Sequence, residues 1–130
     1  MKDVCVERFV VRNYKCLQDV ELRLHPWLTV VVGPNGCGKS SLWEAFRLLR
    51  AAGEGGQERI YKKGFRFVES VFNADRNRRI YLHLAAQVGG KSYRYTQIHS
   101  SGTDGEWVFT GAALVVDGKV IGADTGVIVK

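Results

Sequence analysis

The stretch Gly33-Pro34-Asn35-Gly36-Cys37-Gly38-Lys39-Ser40 decides the fold of this chain. It matches the pattern G-x-x-x-x-G-K-[ST] at every fixed position, which is typical of a loop that holds the phosphates of a nucleoside triphosphate. Residues 27–32, just before it, read Trp-Leu-Thr-Val-Val-Val. A continuous, largely β-branched run of this kind predicts a strand that is buried on both faces.

A helix is predicted directly after the loop, because apolar residues recur there at the spacing of one helix face. These residues are Leu42, Ala45, Phe46 and Leu49. The helix is expected to run from Lys39 to about Ala52, where the glycine-rich residues 53–56 would end it and form a flexible connector. An ordinary connecting turn is the weaker interpretation of the loop, because the strand and the helix both stand where a phosphate loop needs them.

Each residue type in the loop has its own task in holding a polyphosphate. The glycines leave no side chain between the backbone amides and a phosphate, and the start of the helix adds unpaired N–H donors and partial positive charge. Lys39 would supply a point charge for the β- and γ-phosphates, and the Ser40 hydroxyl could join the inner shell of Mg²⁺. Ser41 would either hydrogen-bond an α-phosphate or cap the helix.

Composition predicts one soluble globular domain. The chain has 130 residues, of which 45% are hydrophobic and 25% charged, and no apolar tract is long enough to span a bilayer. Charged residues occupy the N-terminal region where a signal peptide needs an apolar run, so a cytoplasmic location is expected. Cys5, Cys16 and Cys37 fit neither a disulfide framework nor a zinc site and are predicted to be free thiols.

The net charge of +6 suggests a polyanionic partner. Two basic groups could touch the phosphates of DNA, or they could form a solvated face beside a nucleotide site. The first contains Arg59, Lys62, Lys63 and Arg66, and the second contains Arg76, Arg78 and Arg79.

Two strands are predicted before the loop. Residues 4–12 are enriched in β-branched side chains, and residues 17–24 alternate between apolar and charged ones. His25-Pro26 ends the second strand, because proline cannot extend a central ladder. The two strands are expected to pair antiparallel.

The second half of the chain predicts an antiparallel β-meander. Residues 79–88 alternate in polarity, and Gly89-Gly90 joins them to residues 91–99 in a hairpin. Further short strands are predicted at residues 106–110, 113–116 and 119–121. Residues 57–64 fit either a short basic helix or an ordered surface loop.

Residues 113–117, Ala-Leu-Val-Val-Asp, have the form of a Walker B strand, whose carboxylate would organise Mg²⁺. The hairpin interpretation is stronger, because Asp117-Gly118 is followed by a second strand-like run and matches a type I′ turn. No glutamate follows Asp117 to act as a general base.

The chain resembles the N-terminal part of an ABC-type AAA-family ATPase of the RecF, SMC and OLD-like group. The resemblance is carried by residues 11–17 (Val-Arg-Asn-Tyr-Lys-Cys-Leu), followed by residues 31–42, which contain the loop. The resemblance implies an α/β P-loop NTPase lobe with a mixed sheet, one phosphate-loop helix and an antiparallel β-meander subdomain. It implies a single partial domain over residues 1–130, in which residues 1–56 hold the loop and its helix and residues 57–130 hold the β subdomain. ATP and Mg²⁺ are the implied ligands.

The resemblance also assigns site residues. The nucleotide and metal contacts map onto Asn35, Gly36, Cys37, Gly38, Lys39, Ser40 and Ser41, with Lys39 as the catalytic residue and Ser40 as the metal ligand. Arg12, Asn13 and Lys15 map onto a turn that borders the nucleotide in relatives, although a plain surface turn explains them equally well.

Other parts of the family pattern are missing: the sequence contains no LSGGQ-like signature, no Walker B Asp-Glu pair and no later switch histidine. The expected function is therefore an ATP-binding lobe whose hydrolysis needs a C-terminal half or a second lobe, in DNA repair or phage defence. A non-hydrolysing regulatory or assembly module is the alternative. A nucleotide kinase or GTPase is disfavoured by the antiparallel strands and by the lack of an N-K-x-D motif.

Overall fold

A computed structural model of the chain describes residues 4–34 and 38–123, and a six-stranded sheet in the order β2-β1-β3-β4-β5-β6 forms its main body. Every neighbouring pair of strands is antiparallel. The strands are β1 Val4–Tyr14, β2 Leu17–Arg23, β3 Ile80–Val88, β4 Lys91–Ser101, β5 Trp107–Val116 and β6 Lys119–Ala123. The predicted α/β fold class is confirmed, and so is the predicted pairing of the first two strands.

Tight turns set the register of the meander. Gly89 and Gly90 both have positive φ between β3 and β4, as the predicted two-residue turn requires. Asp117 and Gly118 have φ of 49° and 82°, so the hairpin interpretation of this pair is confirmed. The Asp117 carboxylate accepts a 2.8 Å hydrogen bond from the amide of Ser92, and the residue acts as a turn anchor. The two short strands expected before it are one continuous strand, β5.

The phosphate-loop helix is longer than predicted. Helix α1 covers Lys39–Lys62 with a kink at Gly56, so the glycines at 53–56 interrupt the helix but do not form a flexible connector, and the residues after the kink follow the short-helix alternative. A Cβ on Gly53 would lie 3.4 Å from the Tyr95 hydroxyl, so the helix passes close to β4 at this glycine. Gly56 has non-helical angles, φ 62° and ψ −146°, and the kink there separates one helical segment from the next.

Two short helices follow the long one. They are α2, Phe67–Ser70, and a 3₁₀ turn, Phe72–Ala74. Together they lead the chain back to the sheet, where Val71 forms an isolated bridge to Tyr14 at the end of β1.

Helix α1 covers one face of the sheet, and the core lies between them. The rings of Phe9 and Phe46 stack at 3.9 Å, and Leu48 and Ile60 are fully buried. Burial of each such side chain contributes roughly 1.5–3 kcal/mol. The sheet contributes fully buried residues that share this face, namely Val11, Ile80 and Leu82, with Trp107 at 1% exposure.

A buried polar network also lies in this core. The Gln97 amide donates to the carbonyl of Leu49 and to the Tyr95 hydroxyl, at 2.9 Å each. The Trp107 indole donates to His99 Nδ1 at 3.0 Å, which leaves His99 Nε2–H to donate to Gln97 Oε1 at 3.1 Å. Burial lowers the pKa of His99 to about 3, so the ring is neutral. The network joins the helix to the sheet with each of these groups satisfied.

The strand predicted over residues 27–32 does not form. This run has no strand structure, and Trp27 and Val32 are 90% and 80% exposed. A strand buried on both faces needs a hydrogen-bonding neighbour and a covering layer, and no other described segment supplies either of them. Within the described chain, no helix has both the length and the apolar character needed to span a membrane.

Candidate functional site

The N-terminus of helix α1 is open to an anion. Its N-cap, Gly38, has φ 104° and ψ 2° and no side-chain capping bond, and the first turn contains no acidic residue. The first helical hydrogen bond runs from the amide of Leu42 to the carbonyl of Gly38 at 2.9 Å. The amides before Leu42 have no partner from a capping side chain, and they carry the positive end of the helix dipole.

Lys39 is half-buried beside this terminus. Its ammonium group donates to the carbonyl of Gly33, at the other end of the loop. This contact draws the two ends of the loop together and keeps the charge of Lys39 over the start of the helix. Asn35, Gly36 and Cys37 lie outside the described residues, so their nucleotide contacts remain predictions.

The turn between β1 and β2 packs directly against the loop. A Cβ on Gly38 would lie 3.1 Å from Leu17 Cδ2 and 3.3 Å from Cys16 Sγ, so both its positive φ and this close packing require glycine. The Cys16 thiol also contacts the Ser41 hydroxyl at 3.6 Å. Cys5 and Cys16 are free thiols, as predicted.

The two serines differ in their surroundings. The Ser41 hydroxyl already has Cys16 as a partner, and it does not cap the helix, because Gly38 is the N-cap. Ser40 is exposed, and its hydroxyl has no hydrogen-bond partner among the residues described. Of the two hydroxyls, that of Ser40 is the one free to bind a metal ion.

Glu44 links the same turn to the first turns of the helix. Its carboxylate accepts the ammonium of Lys15 and, at 3.4 Å, the hydroxyl of Tyr14. Burial, followed by the charge of Glu44, raises the pKa of Tyr14, so the phenol stays protonated and able to donate. The pair Lys15 and Glu44 therefore fixes the helix start relative to β1.

The side chains of Arg12 and Asn13 contact residues outside the phosphate loop. The Arg12 guanidinium pairs with Asp19 at 3.2 Å and lies 4.9 Å from the centre of the Tyr81 ring. Asn13 donates to the carbonyl of Arg79 at 3.0 Å and accepts from Arg78 at 3.3 Å. Neither side chain contacts a described residue of the loop, and nucleotide binding by them stays a prediction.

Sequence reasoning missed Glu44 as a partner of the turn. The only signal was its position on the helix, five residues after Lys39. Its pairing with Lys15 bridges 29 residues of sequence, and no local pattern reports such a contact. Lys15 itself was mapped to the turn through the family resemblance, and the structure shows which element it contacts.

Acidic metal ligands are not gathered near Ser40. Within residues 4–34 and 38–123, no group of three or more His, Cys, Asp and Glu side chains could hold a metal ion. Ser40 alone supplies one hydroxyl, whereas Mg²⁺ takes several oxygens. The remaining oxygens would have to come from phosphates, water or another polypeptide segment.

Several residues of the two basic groups have local partners. Lys62 pairs with Glu58 at 3.3 Å, and Arg59 with Glu54 at 3.7 Å. In the second group, Arg78 pairs with Asp75 at 3.3 Å and Arg76 donates to the carbonyl of Thr103 at 3.2 Å. These contacts explain part of the basic character structurally, and DNA binding by either group remains a prediction.

Comparison with known proteins identifies relatives over the same region. A family model described as an AAA ATPase domain matches residues 5–82. The OLD nuclease of Thermus scotoductus is 36% identical over 75 residues, which are 58% of this chain and 13% of that protein. The DNA replication and repair protein RecF of Magnetococcus marinus is 43% identical over 44 residues, which are 34% of this chain and 12% of that protein. The matched stretches are thus small parts of both relatives.

Solved structures share the fold over nearly the whole chain. A structure of the recombination mediator protein RecF with ATP superposes with a TM-score of 0.61 at 18% identity, covering 92% of this chain and 29% of that one. An SMC ATPase structure gives a TM-score of 0.52 at 16% identity, covering 91% of this chain and 72% of that one. At these identities the likeness establishes the fold. The shared fold agrees with the predicted resemblance to RecF, SMC and OLD-like proteins. Because the family model matches more than half of the chain, the chain belongs to the AAA ATPase domain family.

Proposed function

We propose that this chain binds ATP at the start of helix α1 and forms one lobe of an ATPase. The observation that carries the proposal is the uncapped terminus at Gly38, placed next to Lys39 and Ser40 within a complete phosphate-loop pattern. Anions favour such a terminus because its amides and its dipole both attract negative charge. The RecF structure with ATP, which shares this fold, supports the choice of nucleotide.

The residues divide the work of binding between them. The amides of Gly38 and of the predicted contacts Asn35, Gly36 and Cys37 would donate to phosphate oxygens, and Ser41 would add a hydroxyl. Lys39 would leave the carbonyl of Gly33 for the β- and γ-phosphates. Ser40 would hold Mg²⁺, which when bound neutralises charge that develops on the phosphates.

Hydrolysis is proposed to need a second body, either a C-terminal ATPase half or a second lobe. The apolar run at residues 27–32 stands exposed beside the loop, and Trp43 on helix α1 is 66% exposed. Trp43 lines an apolar cleft of about 550 Å³ where the helix meets Tyr95 of β4. A covering layer would bury both features and let residues 27–32 pair as a strand.

The chemistry of turnover points the same way. Attack on a γ-phosphate needs a positioned water, and usually a carboxylate to orient it or accept its proton. The part of the chain that the structure describes holds no group of three or more His, Cys, Asp and Glu side chains that could bind a metal ion, and the Glu44 carboxylate, four residues after Ser40, already accepts from Lys15. Alone, the chain should bind ATP and turn it over hardly at all.

We propose a setting in DNA repair or phage defence, in the cytoplasm, with DNA as a partner, and the names of two relatives support the link to DNA. One relative is described as a DNA replication and repair protein and another as a nuclease. The competing candidate is a module that binds nucleotide for stability or assembly without a catalytic cycle. The lack of a carboxylate cluster among the described residues is compatible with that candidate too.

The test is calorimetric titration with ATP and Mg²⁺, combined with a phosphate-release assay. Wild type should bind one ATP, and Lys39→Ala should bind at least tenfold more weakly, with Lys91→Ala, at the start of β4, as the matched control. Equal affinity of wild type and Lys39→Ala would refute the site. Turnover by the isolated chain would refute the need for a second body, and stimulation by an added C-terminal half would exclude the non-hydrolysing module.

A further inference from the structure

Helix α1 bends at a position whose backbone angles favour glycine. Gly56 has φ 62° and ψ −146°, a region that side chains with a Cβ rarely enter. Basic residues from before and after the bend line one cleft of about 150 Å³, which we call the elbow cleft. It contains Arg47, Arg50, Arg59 and Lys63, together with Glu54 and Phe65. The bend is thus what brings these side chains to one place.

The elbow cleft carries excess positive charge. Glu54 is its acidic residue, and it pairs with Arg50 at 2.8 Å and with Arg59 at 3.7 Å. The hydrogen bond from Arg50 lowers the pKa of Glu54, so its carboxylate is ionised at neutral pH. Four cations against one carboxylate leave a formal excess of three positive charges. Neither Arg47 nor Lys63 forms an ion pair with any residue that the structure describes.

One donor in the cleft is buried and unused. The Nε atom of Arg59 is shielded from solvent and has no hydrogen-bond partner among the described residues. Buried donors without a partner are rare in folded proteins, and each needs an acceptor to be satisfied. A Cβ on Gly55 would lie 2.8 Å from the Cβ of Arg59, so this second glycine lets the Arg59 side chain lie where it does.

We propose that the elbow cleft binds a phosphate group. Guanidinium groups match the oxygens of phosphate with paired donors, and Arg47, Arg50 and Arg59 each bring such a group to the cleft. The volume of about 150 Å³ has room for a single tetrahedral oxyanion. Arg47 lies eight residues after Lys39 on the same helix, which is about 12 Å along its axis. The elbow cleft is therefore separate from the phosphate loop, and the inference does not depend on the proposed function.

The test is calorimetric titration with inorganic phosphate at constant ionic strength. Lys39→Ala is the parent, because the phosphate loop could itself bind the ion. In this parent, Arg47→Gln with Lys63→Gln removes two cations that hold no ion pair. Lys91→Gln with Lys119→Gln removes the same charge from the exposed first residues of β4 and β6 and serves as the matched control.

One phosphate per chain should bind to the parent. Affinity should fall at least tenfold in the Arg47→Gln, Lys63→Gln variant and less than twofold in the control. Equal weakening in both variants would mean that only the overall field attracts the ion, and absence of saturable binding in the parent would mean that no site exists. Either result overturns the proposal.

A second measurement avoids the Lys39→Ala background. In NMR spectra of ¹⁵N-labelled wild type, the side-chain Nε–H signal of Arg59 should shift as phosphate is added. The dissociation constant from this shift should equal the one from calorimetry. A shift confined to the amides of Gly38, Lys39 and Ser40 would overturn the proposal.

Two sources of the phosphate group can be told apart in the same assay. Adenosine monophosphate binding more tightly than inorganic phosphate, with the same dependence on Arg47 and Lys63, would assign the group to a nucleotide. Equal affinity would assign it to the free ion. Binding of an oligonucleotide without any saturable binding of inorganic phosphate would overturn the cleft as a phosphate site.

Discussion

The side-chain amide of Gln97 donates a 2.9 Å hydrogen bond to the main-chain carbonyl of Leu49, and so joins the middle of the sheet to the helix that begins at the phosphate loop. Gln97 is fully buried, and its Oε1 also accepts from the neutral ring of His99. The helix is thereby held on the sheet by hydrogen bonds as well as by apolar packing. The position of the phosphate loop depends on both.

Replacing Gln97 should destabilise the fold. Gln97→Ala leaves the Nε2–H of His99 without an acceptor in the core and opens a cavity, and a buried polar group left unpaired costs about 1–3 kcal/mol. The free energy of unfolding in urea should fall by at least that amount. Gln87→Ala is the matched control, because the amide of Gln87 makes an exposed contact of 3.4 Å with Glu7 and its loss should cost under about 0.5 kcal/mol. Equal losses in the two variants would contradict the role of the network.

Stability should fall in acid because of His99. Its folded pKa is about 3, below the value of about 6.5 expected in the unfolded chain. The unfolded state therefore takes up a proton first, so the contribution of His99 is complete above pH 6.5 and is lost as the pH falls towards 3. The slope is on the order of 1.4 kcal/mol per pH unit within that window.

Urea unfolding of wild type and His99→Phe at pH 7.5, 6, 5 and 4 measures this slope. Carboxylates titrate in both proteins, so the difference between them isolates the histidine. Stability of wild type should fall more steeply below pH 6 than that of His99→Phe. Parallel curves would contradict the prediction.

Lys15 and Glu44 should be energetically coupled. Both side chains are about one-third exposed, and the carboxylate also accepts from Tyr14, so a double-mutant cycle should give a coupling of roughly 0.5–1.5 kcal/mol. The cycle uses Lys15→Met and Glu44→Gln, with the free energy of unfolding as the readout. The exposed pair Arg23 and Glu21, at 83% and 41% exposure, is the control and should give under about 0.5 kcal/mol. A Lys15–Glu44 coupling no larger than the control would show that the pair does not fix the start of the helix.

The apolar run beside the loop should tolerate charge in the isolated chain. Val30 and Val32 are 67% and 80% exposed, so Val30→Lys with Val32→Lys removes almost no burial and should change the free energy of unfolding by less than about 0.5 kcal/mol. Solubility should rise, because exposed apolar residues favour association. If a C-terminal ATPase half covers the run, the same variant should fail to assemble with it. A loss of several kcal/mol in the isolated chain would show that the run is already buried there.

Local chemistry in the sequence was enough to predict much of this protein. Alternating polarity predicted the hairpin around Gly89 and Gly90, and the Asp117-Gly118 pair predicted the later turn between β5 and β6. Both predictions were possible because two-residue turns need residues that accept positive φ. The phosphate-loop pattern predicted the start of helix α1 at Lys39 for a similar reason, since its requirements lie within a few neighbouring residues.

Tertiary structure decided the rest. Glycines at 53–56 predicted the end of the helix, and Gly56 does break its geometry, but helical structure resumes after the kink and continues to Lys62. Residues 27–32 have the composition of a buried strand and yet lie exposed, because a strand exists only where a neighbour accepts its hydrogen bonds. The contacts of Lys15 with Glu44 and of Gln97 with Leu49 join residues far apart in the chain, and which distant partners meet depends on how the whole sheet and helix pack.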